Sequence, residues 1–186
     1  MRRRFLTIVT AALVAGLLAG SASPAPRAQR TDVKVWTTKV CTSLKTWQHS
    51  LIRRSKAVNA TTPKSVGDLH DRFVAFLNAV VGDTDALIAQ TRSAGTPSVS
   101  QGANIENALL SGFKKLRGYF ASDATKAKHL SRTNASQLAA GATALGNLIE
   151  RQATQITTTF NALDKKYRSS DLDAAMKSAP ACKGIA

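Results

Sequence analysis

The sequence is short of the residue types that catalysis and metal binding draw on. It has three histidines, two cysteines and only two glutamates, Glu106 and Glu150. His49, His70 and His129 are scattered, and Cys41 and Cys182 stand far apart, so no stretch has the ligand spacing of a zinc site. No serine lies in a Gly-x-Ser-x-Gly setting, and no glycine-rich phosphate loop is present. Aromatics make up 5% of the chain. No segment sustains apolar–polar alternation of period two, so no strand is expected. These absences argue against a cofactor enzyme, and no cofactor is expected.

What is present begins with an export signal. Arg2, Arg3 and Arg4 form a positive start, Phe5 to Ala19 is an uncharged apolar run, and Gly20, Ser21 and Ala22 are small. That order is a secretory signal peptide over 1–22, cut after Ala22 and too short to remain as an anchor. The adjacent arginines also match a twin-arginine box. Leu17-Leu18-Ala19-Gly20-Ser21 looks like a lipoprotein box with serine in place of its cysteine, so no lipid can be attached there. Pro24 and Pro26 then open a flexible leader, 23–30. Residues 31–186 are one domain's worth of chain, secreted and without a further transmembrane anchor.

In an oxidising compartment Cys41 and Cys182 are expected to pair. Four segments carry helical periodicity. Val33, Trp36, Val40, Leu44, Trp47, Leu51 and Val58 form the first stripe, which Thr62-Pro63 ends. Ser65 and Asp68 form a capping box for a second helix, whose stripe includes Leu69, Phe73, Leu77, Val80, Thr84, Leu87 and Thr91. Gly95-Thr96-Pro97-Ser98 breaks it. A third helix buries Ile105, Leu109, Phe113, Leu116 and Phe120 and fades near Leu130. A fourth runs from Leu138 to Tyr167, and a short one begins with Ser170 as its cap and stops at Pro180, leaving Cys182 on an irregular tail. Short breaks between long helices predict an all-α, up-down-up-down four-helix bundle with a short C-terminal helix. That order brings both cysteines to one pole.

Several short stretches together resemble the small secreted proteins and lipoproteins of actinobacteria. They are Cys41-Thr42-Ser43-Leu44 followed by Trp47 and Gln48, the Gly95-Thr96-Pro97-Ser98-Val99 break, and Ser178-Ala179-Pro180-Ala181-Cys182-Lys183. The resemblance implies a helical, disulfide-closed, extracytoplasmic protein and carries no activity with it.

Charge gives the chain its direction. Lys and Arg number 26 against 11 Asp and Glu, a formal charge of +15. In the bundle, Arg53, Arg54, Lys56, Lys64, Lys126, Lys128 and Arg132 gather at one end, a candidate polyanion-binding pole. The expected partners are anionic envelope polymers or lipid headgroups. Nucleic acid is not expected, because no aromatic interleaves the lysines. An enzyme reading rests on similarity to secreted helical chorismate mutases, with Arg53, Arg72, Arg117 and Glu106 as its candidates, although their spacing does not reproduce that site. A third reading is a cationic membrane-active protein, opposed by apolar faces that a stapled bundle hides. Trp36 and Trp47 are expected to pack in the core, with an interhelix ligand pocket as the alternative, for which Thr84 and Thr91 of the second stripe and the small residues through the fourth helix leave room. The reading favoured by the residues is a non-enzymatic extracytoplasmic binding or structural protein.

Overall fold

The computed structural model describes residues 30–58 and 60–184. The expected signal peptide, and the expected leader up to residue 29, lie outside the described residues. The chain is all-α: α1 Val33–Val58, α2 Val66–Ser93, α3 Gly102–Lys128, α4 Ala135–Lys166 and α5 Ser170–Ser178, followed by a 3-10 turn, Pro180–Cys182.

The helix starts follow from local chemistry. Asp32 opens α1, its Oδ1 accepting the N–H groups of Lys34 and Val35. Ser65 Oγ accepts the Asp68 N–H at the start of α2, and Asn134 Oδ1 accepts the Gln137 N–H at the start of α4. Each satisfies one of the donors that a helix N-terminus leaves unpaired. The cap of α5 is Ser169, which accepts the Leu172 N–H, and not the expected Ser170. Both serines fit the pattern, and the hydrogen bond decides between them. Cys182 lies in the 3-10 turn and not on an irregular tail.

The expectation of no strand is also corrected. Arg30–Thr31, assigned in part to the leader, pairs in parallel with Thr96–Pro97. We term these short segments β1 and β2. A two-residue pair carries no periodicity, so nothing in the pattern announces it. It fastens the entry of α1 to the break after α2, with Thr31 Oγ1 donating to the Ala94 carbonyl at 2.8 Å.

Neighbouring helices are antiparallel. Trp36 of α1 meets Gly95 just beyond α2, while Ser50 meets Asp83. Asp85 of α2 pairs with Arg117 of α3, and Asp71 with Arg132 just beyond α3. On the far side of α3, Asp123 meets Gln152 of α4, and Tyr119 meets Gln155. Helices α1, α2, α3 and α4 therefore pack in series, and α5 with the 3-10 turn folds back onto α1. By length and composition α2 is apolar enough to cross a membrane. Here it is the helix between α1 and α3, and it carries Asp68, Arg72, Asp83 and Asp85 in ion pairs.

The core has three centres. Trp36, Val40, Ala94 and Ile105 fill the disulfide end, Leu87, Ile88, Leu110 and Phe113 the middle, and Leu77, Ala124, Ala127 and Leu145 the far end. Thr84 does not leave room for a ligand. Its hydroxyl donates to the Val80 carbonyl and accepts the Trp47 indole N–H at 3.1 Å, so Trp47 fills that space. Cys41 and Cys182 form the disulfide, with Cα atoms 4.9 Å apart.

Candidate functional site

The seven basic residues of the expected pole fall into two groups. The register of α1 on α2 draws Arg54 to Asp83, where its guanidinium bonds both carboxylate oxygens. Asp83 lies twelve positions along α2 from Asp71, or about 18 Å of helix. Arg53 and Arg54 thus sit along the α1–α2 seam, below the end. Arg132 bonds Asp71 at 2.7 Å, and its backbone lies beside Gly67, three residues after Lys64. Lys126 Nζ is 3.9 Å from Asp123 Oδ1. Among the described residues, Lys56, Lys64 and Lys128 form no salt bridge.

These pairings set the carboxylates. Arg54's hydrogen bonds, aided by the Ser50 hydroxyl and the charge of Arg53, hold the Asp83 carboxyl below the usual range despite its partial burial. The Lys64 backbone N–H and then Arg72 do the same for Asp68. Asp123 is the opposite case. Its side chain is 0% exposed, and burial pushes its pKa up against the Gln152 amide at 3.2 Å and Lys126 at 3.9 Å on one oxygen, while the other oxygen has no hydrogen-bond partner among the described residues.

The residues of the enzyme reading are not brought together. Arg72 is held by Asp68 and Thr61, Arg117 by Asp85, and Glu106 accepts the Thr96 hydroxyl. Glu106 and Arg117 stand three turns apart on α3. The histidines are also separate. Ser50, next to His49, lies against Asp83, thirteen positions and about 20 Å along α2 from His70. His70 is buried with Nδ1 2.9 Å from Asp71, and His129 is the exposed C-cap of α3. Among the described residues no group of three or more His, Cys, Asp or Glu is placed to hold a metal ion.

Helix composition alone did not locate the gap between α1 and α4. These helices do not form a close seam, and two apolar clefts occupy the space between them. The first, ≈ 220 Å³, lies at the disulfide end, walled by Trp36, Val40 and Leu44 of α1, Ile105 and Leu109 of α3 and Phe160 of α4, with α5 beside it. The second, ≈ 370 Å³, lies at the far end between Val58, Leu69, Phe73, Phe76, Leu138 and Ala142. It shares Val58 and Phe76 with a groove of ≈ 250 Å³ lined by Arg54 and Arg72. The sequence signals were faint: alanines at 135, 139 and 142 too small to fill a helix interface, and Leu69, 37% exposed on a stripe position.

Comparison of the chain with protein-family models, curated proteins and solved structures finds no match.

Proposed function

We propose that this is an exported, non-enzymatic binding protein of the cell envelope, built as an up-down-up-down four-helix bundle and docking on anionic lipid headgroups. A kinship with the small secreted proteins of actinobacteria, and a signal peptide over 1–22, belong to the same reading. The observation that carries it is the far-end cleft. An apolar hollow lies at the end where Lys56, Lys64 and Lys128 stand without salt bridges among the described residues, and it adjoins a groove whose Arg54 and Arg72 are already paired with Asp83 and Asp68. An anionic lipid presents the matching pair, a negative head and an apolar chain. Each lysine or arginine near an anionic surface contributes about 1 kcal/mol at physiological salt, and the field fades within a Debye length of about 8 Å. The three lysines together contribute about 3 kcal/mol, a weak and reversible attraction to which the cleft adds apolar contact.

The test is co-sedimentation with phosphatidylglycerol and phosphatidylcholine vesicles across a salt series. Binding to the anionic vesicles alone, weakening as salt rises, supports the reading. The triple variant Lys56→Gln, Lys64→Gln, Lys128→Gln should weaken it at least about tenfold while lowering the melting temperature only slightly, since two of these lysines sit in the last turns of α1 and α3. Equal binding to both vesicles, or to neither, overturns it. Anionic wall polymer without lipid serves as a parallel arm, and binding there alone moves the partner from lipid to polymer.

A further inference from the structure

We infer that the far-end cleft takes up one acyl chain of an anionic phospholipid, with the phosphate held at the start of α4. This inference rests on the envelope-docking reading and sharpens it. Docking on headgroups needs only surface charge, whereas here a single chain leaves the bilayer and enters the protein.

The cleft exists because α4 stands off from α1. The first turns of α4 bring Ala135, Ala139 and Ala142 to a wall opposite Val58 of α1 and Phe73 of α2, and side chains of that size do not reach across. The hollow of ≈ 370 Å³ has no charged residue in its lining. An apolar cavity of about 150 Å³ holds the six carbons of benzene, so this one has room for about 12 to 15 carbons of a chain.

The rim is apolar as well. Leu69 lines the cleft and is nevertheless exposed, and Ile52 is exposed one turn before Ser55 of the α1 wall. Large apolar side chains left in water beside an apolar hollow mark a contact surface. At an end that attracts anionic headgroups, the apolar matter within reach is the lipid chain.

The start of α4 fixes where the head goes. Ala135, the first residue of that 32-residue helix, lines the cleft, so the positive end of the helix opens onto it. The first turn holds no acidic side chain. Asn134 Oδ1 takes the Gln137 N–H, and the N–H groups of Ala135 and Ser136 have no hydrogen bond among the described residues. Lys56 lies between Ser55 and Val58 of the wall, and Lys64 stands two residues before Val66. The acid nearest to them in the chain, Asp68, is held by Arg72 and by the Lys64 N–H. A phosphate at the mouth meets helix N–H groups and lysines without ion pairs, while its chain fills the hollow.

The experiment uses the purified, oxidised protein and three single-chain probes below their critical micelle concentrations. They are dodecanoyl lysophosphatidylglycerol, octanoyl lysophosphatidylglycerol, and monododecanoylglycerol, which has the longer chain and no phosphate. Calorimetry gives the affinities, and the Leu138 methyl and Trp36 indole signals in NMR tell the far-end cleft from the disulfide-end one. The dodecanoyl anion should bind at least about tenfold more tightly than either other probe, moving Leu138 and leaving Trp36 in place. Ser136→Glu puts a negative charge into the first turn of α4, where it favours the helix itself. It should weaken binding of the dodecanoyl anion about threefold and leave the neutral probe unchanged. Ala139→Trp should fill the cleft and remove uptake of all three, while salt-dependent docking on phosphatidylglycerol vesicles persists. Vesicle docking with no binding of any single-chain probe overturns this inference alone, and loss of both overturns the docking reading with it. Equal affinities for the two chain lengths, equal affinities for charged and neutral heads, or a response at Trp36 in place of Leu138 would each overturn it too.

Discussion

The indole N–H of Trp36 donates to the Gly95 carbonyl at 2.6 Å, tying the first turns of α1 to the residue that ends α2. Gly95 has φ 76°, a left-handed conformation that glycine adopts without a Cβ clash, and it turns the chain from α2 into β2. One hydrogen bond thus joins the helical entry, the glycine stop and the parallel β1–β2 pair. Trp36→Phe keeps an aromatic ring but removes part of the indole volume from the core and leaves that carbonyl unpaired in a partly buried place. We expect a loss of about 2–4 kcal/mol from the cavity and the unpaired carbonyl together, read as a lower midpoint in urea with an unchanged slope.

Cys182 is held in the 3-10 turn that packs on α1, so the disulfide also pins α5 beside the cleft. Replacing Cys182 with serine, or reducing the bond, should cost about 2–5 kcal/mol. Limited proteolysis should then cut first between Tyr167 and Lys183, because α5 is only nine residues long and has little helical stability of its own. A cleavage pattern unchanged by reduction would show that apolar packing alone holds α5.

Asp123 should respond to pH in the sense opposite to an ion-paired carboxylate. Its pKa is raised by burial, so the folded state binds the proton more tightly than the unfolded chain. Stability then falls as pH climbs from the ordinary carboxylate range through the folded-state value, and the cost is complete above it. Asp123→Asn keeps an oxygen for the Gln152 amide and removes the buried charge. It should stabilise the protein at neutral pH by about 1 kcal/mol, with no gain in acid below the ordinary carboxylate range. Asp83, held low by Arg54, contributes stability that is present at neutral pH and lost as pH falls through its folded-state value. Asp83→Asn should therefore cost stability at neutral pH and flatten the acid limb of the curve.

Gly102 opens α3 against β2, and a Cβ built there would lie 2.0 Å from the Pro97 carbonyl oxygen. That neighbour is backbone within the β1–β2 pair and cannot swing aside. Gly102→Ala should cost about 3 kcal/mol or more, as overpacking does. Gly118→Ala is the control, since nothing lies within 4 Å of its Cβ position. It should raise helix stability slightly.

Much of the fold was legible in the residues. The first stripe, from Val33 to Val58, coincides with α1, and Ser65 with Asp68 marks the start of α2, because periodicity and capping are local and act before any packing. The site was far less legible. Arg54 was grouped with the far-end lysines by its position in the chain, but Asp83 holds it along the seam, and that register depends on which residues of α1 and α2 interlock. Thr84 was a candidate gap, and its filling by Trp47 depends on a side chain from another helix.

The sequence by itself determined the helices, their stops and the pairing of the only two cysteines, since each follows from 3.6-residue periodicity, from proline and glycine, or from the lack of any other thiol. Only the tertiary structure decided that α1 and α4 stand apart, that Asp123 is buried under Gln152, and that Asp164 and Asp173 face the same hollow as Trp36. Those relations join residues far apart in the chain. They arise from how whole helices settle against one another, which a pattern repeating every three or four residues does not encode.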